Sequence, residues 1–243
     1  MVKGTMAIVD LAGIKVDNVT LEEAAARVEM LIATNKPQLI ATPNPEMIVA
    51  SQTDAELKAI LNGAALRVPD GISMVVVARI LGTPLQERVS GIDLMLKLAE
   101  ISAEKGYKVF LAGSAAGVAD EAARQLKKRF PSLQVVGTYH GYFGGDDSEL
   151  LKLILDAGPD LLFVGLGAGR QEKWLDRHLA ELKCVGMGIG GSLDVISGRK
   201  KRAPRWTQVL YIEWLYRLVT EPQRWKRQLA LPQFLYLTLL KKL

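Results

Sequence analysis

Cysteine is almost absent: the single Cys184 lies in the apolar run CVGMGIG and has no partner for an internal disulfide. Free cysteine is among the most buried residue types, so this thiol reads as a packing group rather than a nucleophile. That usage fits a reducing, cytoplasmic setting. Histidine is nearly as scarce. His140 and His178, without clustered carboxylates or thiols, do not make a zinc site of ordinary spacing. No run of about 18 apolar residues occurs, which excludes a bilayer-spanning helix. The opening MVKGTMAIVDLAG holds no sustained apolar core before a small-residue cleavage site, so no signal peptide is expected. Internal repeats and low-complexity linkers are missing as well.

What is present is an ordinary globular composition over 243 residues, 49% hydrophobic and 23% charged. A chain of this length buries roughly 70–75% of its unfolded surface and needs no metal or disulfide to fold. The formal charge of +5 hides an asymmetry. Residues 199–243 carry 11 Lys and Arg against Glu213 and Glu221, a net of +9; residues 1–198 keep 20 basic and 24 acidic groups, a net of −4. The same 45 residues hold 7 of the 15 aromatics. The sequence therefore divides into an acidic body, 1–198, and a basic, aromatic appendage, 199–243, and the appendage suggests a polyanionic partner.

The body alternates strand and helix signals. Residues 7–18 suit a small hairpin. Thr20 and Glu23 form a capping box for a helix to about Thr34, and Thr53 with Glu56 reads as a second such box for a helix ending near Asn62-Gly63. Apolar strands are expected at Leu39–Thr42, Leu66–Val68, YKVFLAG, LQVVGTY, DLLFVGLG and CVGMGIG, with helices between them. This alternation predicts an α/β, Rossmann-like parallel sheet with helices on both faces.

The organising stretch is Gln38–Gly71. Its two strands end in Thr42-Pro43-Asn44-Pro45 and Pro69-Asp70-Gly71, and ligands of open parallel sheets sit beyond the carboxyl ends of the strands. Thr42, Asn44 and Asp70 are thus expected to face one pocket, although Pro-Asp-Gly is also a common turn in which Asp bonds local backbone. FVGLGAGRQEKW sets Gly165, Gly167 and Gly169 between a strand and a helix, a place that suits a diphosphate or a tight turn. Its GxGxG spacing, late in the sheet, is not the dinucleotide fingerprint. The turn Gly113–Gly117 admits a uridine or phosphate and is equally explained by close packing. Asp146 and Asp147 precede a helix, where capping accounts for them more simply than a metal. His140 is a candidate for lining the pocket, whereas His178, on a helix with Trp174 and Arg177, reads as a surface or packing residue. In the appendage, leucines flanked by cations match an interfacial membrane segment better than a nucleic-acid surface; packing on the body or on a second copy is the plain alternative.

The blocks TPNPEM, RVPDGISMV, ERVSGIDL, VFLAG, GTYHGYF, FVGLGAGRQEKW, GIGGSLD, RAPRW, EWLYRL and EPQRW run nearly the whole chain in order. Together they resemble the WecG/TagA/CpsF glycosyltransferases. The resemblance implies metal-independent, inverting transfer of N-acetylmannosamine from a UDP-sugar donor to lipid-linked N-acetylglucosamine, N-acetylglucosamine-diphospho-undecaprenol, in teichoic acid linkage-unit synthesis. Another UDP-sugar, N-acetylmannosaminuronic acid or glucose, is the rival within the family. A non-catalytic nucleotide- or RNA-binding module is the rival outside it. No cofactor, no metal and no nucleic acid are expected. The implied location is the cytoplasmic face of the membrane, peripherally attached through the appendage to an anionic surface, and the apolar tail helices hint at a homo-oligomer. By the same resemblance Asp70 is the general base, with Arg88, Thr42 and Asn44 beside it. Gly113, Gly165, Gly167, Gln171 and Gly191 fall at the donor site, and Arg217, Arg224 and Arg227 reach the leaving group from the appendage. Gly169-Arg170 stands where the family usually has Pro-Lys, which costs the loop the stiffness of proline.

Overall fold

Alternation of strand and helix produces a six-stranded, wholly parallel sheet in the computed structural model of the chain. The structure describes residues 7–142, 144–204, 207, 213–220, 225 and 229–239. A hairpin of β1 (Ile8–Leu11) and β2 (Ile14–Asp17) precedes it and pairs antiparallel. The sheet strands are β3 (Gln38–Ala41), β4 (Leu66–Arg67), β5 (Lys108–Gly113), β6 (Gln134–Tyr139), β7 (Leu161–Gly165) and β8 (Val185–Gly188). Their order is β4-β3-β8-β7-β5-β6. Arg67 fastens the hairpin over the β4 edge through two bonds to Asp17, at 2.8 and 3.0 Å. The strand expected at Leu66–Val68 pairs over only two residues, although Val68 N–H still reaches Ala41 O at 3.0 Å.

The connecting helices are α1 (Leu21–Ala33), α2 (Pro45–Ala50), α3 (Ala55–Gly63), α4 (Ile72–Ile80), α5 (Gly91–Lys105), α6 (Val118–Arg129), α7 (Ser148–Ala157), α8 (Arg170–Leu182) and α9 (Ser192–Ile196). Among the described residues, α10 (Glu213–Thr220) and α11 (Ala230–Leu239) follow. Thr20 and Glu23 make the expected capping box of α1. The second expected box is not formed. Asp54 caps α3 by accepting Leu57 N–H at 3.0 Å, while Thr53 turns its hydroxyl to Ala50 O. A carboxylate caps as well as a hydroxyl and here also holds the Lys173 ammonium at 2.7 Å, which a threonine cannot.

Period-two alternation sorts each central strand onto two faces. Leu39, Ala41, Phe110, Ala112, Leu162 and Val164 pack with α2, α3, α4, α7 and α8. Ile40, Val109, Leu111, Leu161, Phe163 and Met187 pack with α1, α5, α6 and α9. Strands buried on both sides read as unbroken apolar runs, which is why they were legible. Cys184 is buried in the first layer, and its desolvation pushes the thiol up to about 12. The final helix belongs to this layer too. Phe234 is fully buried and Ala230 and Thr238, one turn to either side, nearly so, on a face packed against α2 and α4. Packing on the body, the plain alternative for the appendage, is thus what α11 does.

Candidate active site

Two loops that follow β3 and β4 are tied to each other and to α5. Asn44 caps α2 through Met47 N–H at 3.0 Å, and Pro45 takes the first helical position, where its missing N–H costs nothing. Asp70 N–H donates to Pro43 O and Val89 N–H to Pro69 O, both at 3.0 Å. The half-buried Asp70 carboxylate then accepts Gly91 N–H at 3.3 Å. It therefore sits on the first turn of α5, where the helix dipole favours an anion. Thr42 crowds the same corner: a Cβ placed on Gly91 would lie 3.6 Å from both Asp70 Oδ2 and Thr42 Cγ2. The Thr42 hydroxyl donates to Gly188 O, 3.3 Å away on β8.

Around this corner a cleft of about 360 Å³ opens beyond the ends of β4, β3, β8 and β7. Thr42, Asn44, Asp70, Arg88, Gly167, Gln171 and Gly191 all line it, so most of the residues expected at a site are brought together. Arg88 is partly buried, with its guanidinium 3.8 Å from Asp93. Burial alone would push the Asp93 carboxyl up, but the Ser90 hydroxyl at 2.5 Å and the Arg202 and Arg88 guanidinium groups outweigh it and hold it below the usual carboxylate range. The anion on α5 thus orients a cleft arginine.

Gln171 serves the walls of the cleft. Its Oε1 accepts Gly190 N–H at 2.9 Å and its amide donates to Glu172 at 2.7 Å, while Glu172 accepts Gly169 N–H at 2.7 Å. The pair ties the loop after β7 to the loop after β8. A Cβ on Gly188 would approach both side chains to 2.5 Å, so glycine there is what lets them pack on the strand. Glu172 is fully buried, and desolvation raises its pKa.

Several expected residues lie elsewhere. Gly113 and Gly165 are not on the cleft. At Gly113, with φ +134°, a Cβ would come within 2.4 Å of Gly165 O, so close approach of β5 to β7 accounts for that glycine, while at Gly165 a Cβ would come within 2.7 Å of Gly190 O in the loop after β8. Arg170 turns back on Leu166 O at 2.7 and 3.0 Å, fixing its own turn. His140 stacks on Tyr139 and accepts Tyr142 N–H, away from the cleft. Asp146 accepts Ser148 N–H at 3.1 Å just ahead of α7, whereas Asp147, at the N-cap, makes no capping bond and instead holds Trp174 at 2.7 Å and lies 3.1 Å from His178. Among the described residues no group of three or more His, Cys, Asp or Glu is placed to hold a metal ion. Arg217 lies in α10; Arg224 and Arg227 lie outside the described residues.

Sequence reasoning missed one wall. Lys200, Lys201 and Arg202 line the cleft, as do Tyr216 of α10 and Leu231 of α11. The signal was the run GRKKR at the start of the appendage, read only as part of a basic tail.

A family profile described as "Glycosyl transferase WecG/TagA/CpsF family" matches residues 9–243. A Bacillus spizizenii protein named N-acetylglucosaminyldiphosphoundecaprenol N-acetyl-beta-D-mannosaminyltransferase is 38% identical over 202 residues, 82% of this chain and 78% of its own. A Bacillus subtilis protein of the same name is 37% identical over 206 residues, 84% and 79% of the two chains. A Staphylococcus aureus protein, again so named, is 34% identical over 237 residues, 96% and 93%.

Proposed function

Since the chain belongs to the WecG/TagA/CpsF family of glycosyl transferases, we propose that it transfers N-acetylmannosamine from UDP-N-acetylmannosamine to N-acetylglucosamine-diphospho-undecaprenol. The relatives' shared name supports this acceptor and sugar. The observation that carries the reading is the cleft itself, which Asp70 and Arg88 both line beyond the strand ends.

The chemistry is a displacement at the anomeric carbon with inversion. The acceptor 4-hydroxyl is a poor nucleophile, so its proton must leave as the new bond forms. Asp70 takes that proton, O4 bonds to C1, and the C1–O bond to UDP breaks with its electron pair going to the diphosphate. A positioned base of this kind contributes about 10²–10⁴-fold. Arg88 from the body, joined by Arg217, Arg224 and Arg227 from the appendage, neutralises the departing diphosphate through charge-assisted bonds. Gly167, Gly191 and Gln171 shape the donor wall. No metal is required in this scheme.

Mass spectrometry of the product from a panel of UDP-sugars with a lipid-linked N-acetylglucosamine acceptor tests the reading. We expect one added N-acetylhexosamine only from the N-acetylmannosamine donor. Transfer of N-acetylmannosaminuronic acid or glucose instead replaces the substrate, and transfer of nothing rejects the function.

The enzyme acts, on this reading, at the inner face of the membrane without crossing it; no helix among the described residues is long and apolar enough to span a bilayer. Support comes from the appendage, whose Leu215, Val219, Trp225, Leu229 and Tyr236 are exposed in a sequence rich in cations. Each cation near an anionic leaflet adds about 1 kcal/mol. Val219→Glu with Tyr236→Glu is expected to lower co-sedimentation with anionic vesicles at least about tenfold, since acidic groups repel the leaflet and resist burial in it. Undiminished sedimentation, or loss of a dimer in its place by light scattering, assigns these residues to another copy of the chain.

A further inference from the structure

One side of the cleft has no part in the scheme so far. Lys200, Lys201 and Arg202 line it from the segment between α9 and α10. That segment is pinned along its length. Arg199 donates to Ala116 O at 3.3 Å, Lys200 N–H donates to Asp194 O at 2.9 Å, and Arg202 pairs with Asp93. Ala203, just beyond, is buried. Lys201 lies between these anchors, exposed and on the cleft. A cation whose neighbours on both sides are fastened loses little freedom when it meets an anion, and lysine meets phosphate as a compact point charge.

Resting on the function proposed above, two diphosphates must reach one anomeric carbon. The donor's leaves; the acceptor's is a spectator that remains joined to lipid. Inversion puts nucleophile and leaving group on opposite sides of that carbon, so one set of cations cannot hold both. The glycine turns and Arg88 suit the departing group. The pinned basic segment suits the other, because α10 and α11, which expose Leu215, Val219 and Tyr236 to a lipid-borne group, border the same cleft through Tyr216 and Leu231. We propose that Lys201, with Lys200 beside it and Arg202 bracing the segment on Asp93, forms the subsite for the acceptor's diphosphate.

Calorimetric titration of the full chain with farnesyl diphosphate at saturating UDP tests this. The parent is expected to bind it with UDP in place. Lys201→Ala is expected to weaken that binding at least about tenfold, the scale of one charge-assisted hydrogen bond, with UDP affinity unchanged and Lys201→Arg restoring most of the loss. Farnesol is expected to bind parent and variant alike. Displacement of farnesyl diphosphate by UDP from the parent, or a variant that loses UDP instead, hands the lysine to the donor and overturns the proposal; so does a variant that binds as the parent does. The two readings fail separately: sugar transfer without this binding change rejects the subsite alone, and the binding change without transfer to a lipid-linked acceptor rejects the proposed function alone.

Discussion

Asp70→Asn is expected to lower turnover at least about a hundredfold while donor affinity stays near the parent value, the signature of a lost base rather than a lost binding contact. The substitution is close to isosteric, and its amide oxygen can still accept Gly91 N–H, the bond that holds the side chain on α5. The loops that carry it are fastened by backbone bonds to Pro43 and Pro69, which the change leaves untouched. The fold therefore survives, and what goes is the ability to take a proton from the acceptor hydroxyl. Calorimetry with UDP and single-turnover transfer separate the two effects. Turnover within about tenfold of the parent, below the range of a positioned base, removes Asp70 from that role.

Asp70 was legible because its signal is local and its consequence topological: an apolar strand, then Pro-Asp-Gly, in a chain whose alternation already implied a parallel sheet. Thr42, Asn44 and Gly167 were found by the same logic, whereas Gly191 came from the resemblance. Arg88 and Gln171 came from resemblance, since nothing in ERVSG or RQEKW taken alone says which way a side chain turns. The failures fall where a residue's role is decided by a neighbour distant in sequence. A glycine between strand and helix signals close approach, and sequence does not say whether a ligand or another strand approaches. At Gly113 the neighbour is the Gly165 carbonyl. At Thr53 the neighbouring Asp54 competes for the cap and wins by reaching Lys173, more than a hundred residues away in sequence. The basic wall at Lys200–Arg202 was hidden for the converse reason. Charge density located the cations, but only their anchors on Ala116, Asp194 and Asp93 turn the segment across the cleft.

If guanidinium groups carry the leaving diphosphate, Arg88→Ala is expected to lower kcat by about 10²–10³, comparable to removing one preorganised donor from a developing oxyanion. Arg88→Lys is expected to recover only part of this, because an ammonium cannot make the bidentate contact. EDTA is expected to leave the parent rate unchanged. The variant should fold, since Asp93 keeps the Ser90 hydroxyl and Arg202 when Arg88 is cut back. A metal-dependent transferase would invert the pattern, with a modest loss in Arg88→Ala and a large loss in EDTA restored by a divalent ion. Asp146 and Asp147 would be the residues to suspect, yet the first is bonded to Ser148 N–H and the second to Trp174. Freeing them would mean unpicking the loop before α7 and orphaning the Trp174 N–H. The arginine reading asks for no such rearrangement: Arg88 already lies on the cleft that Asp70 lines, oriented by the Asp93 carboxylate on the first turn of α5.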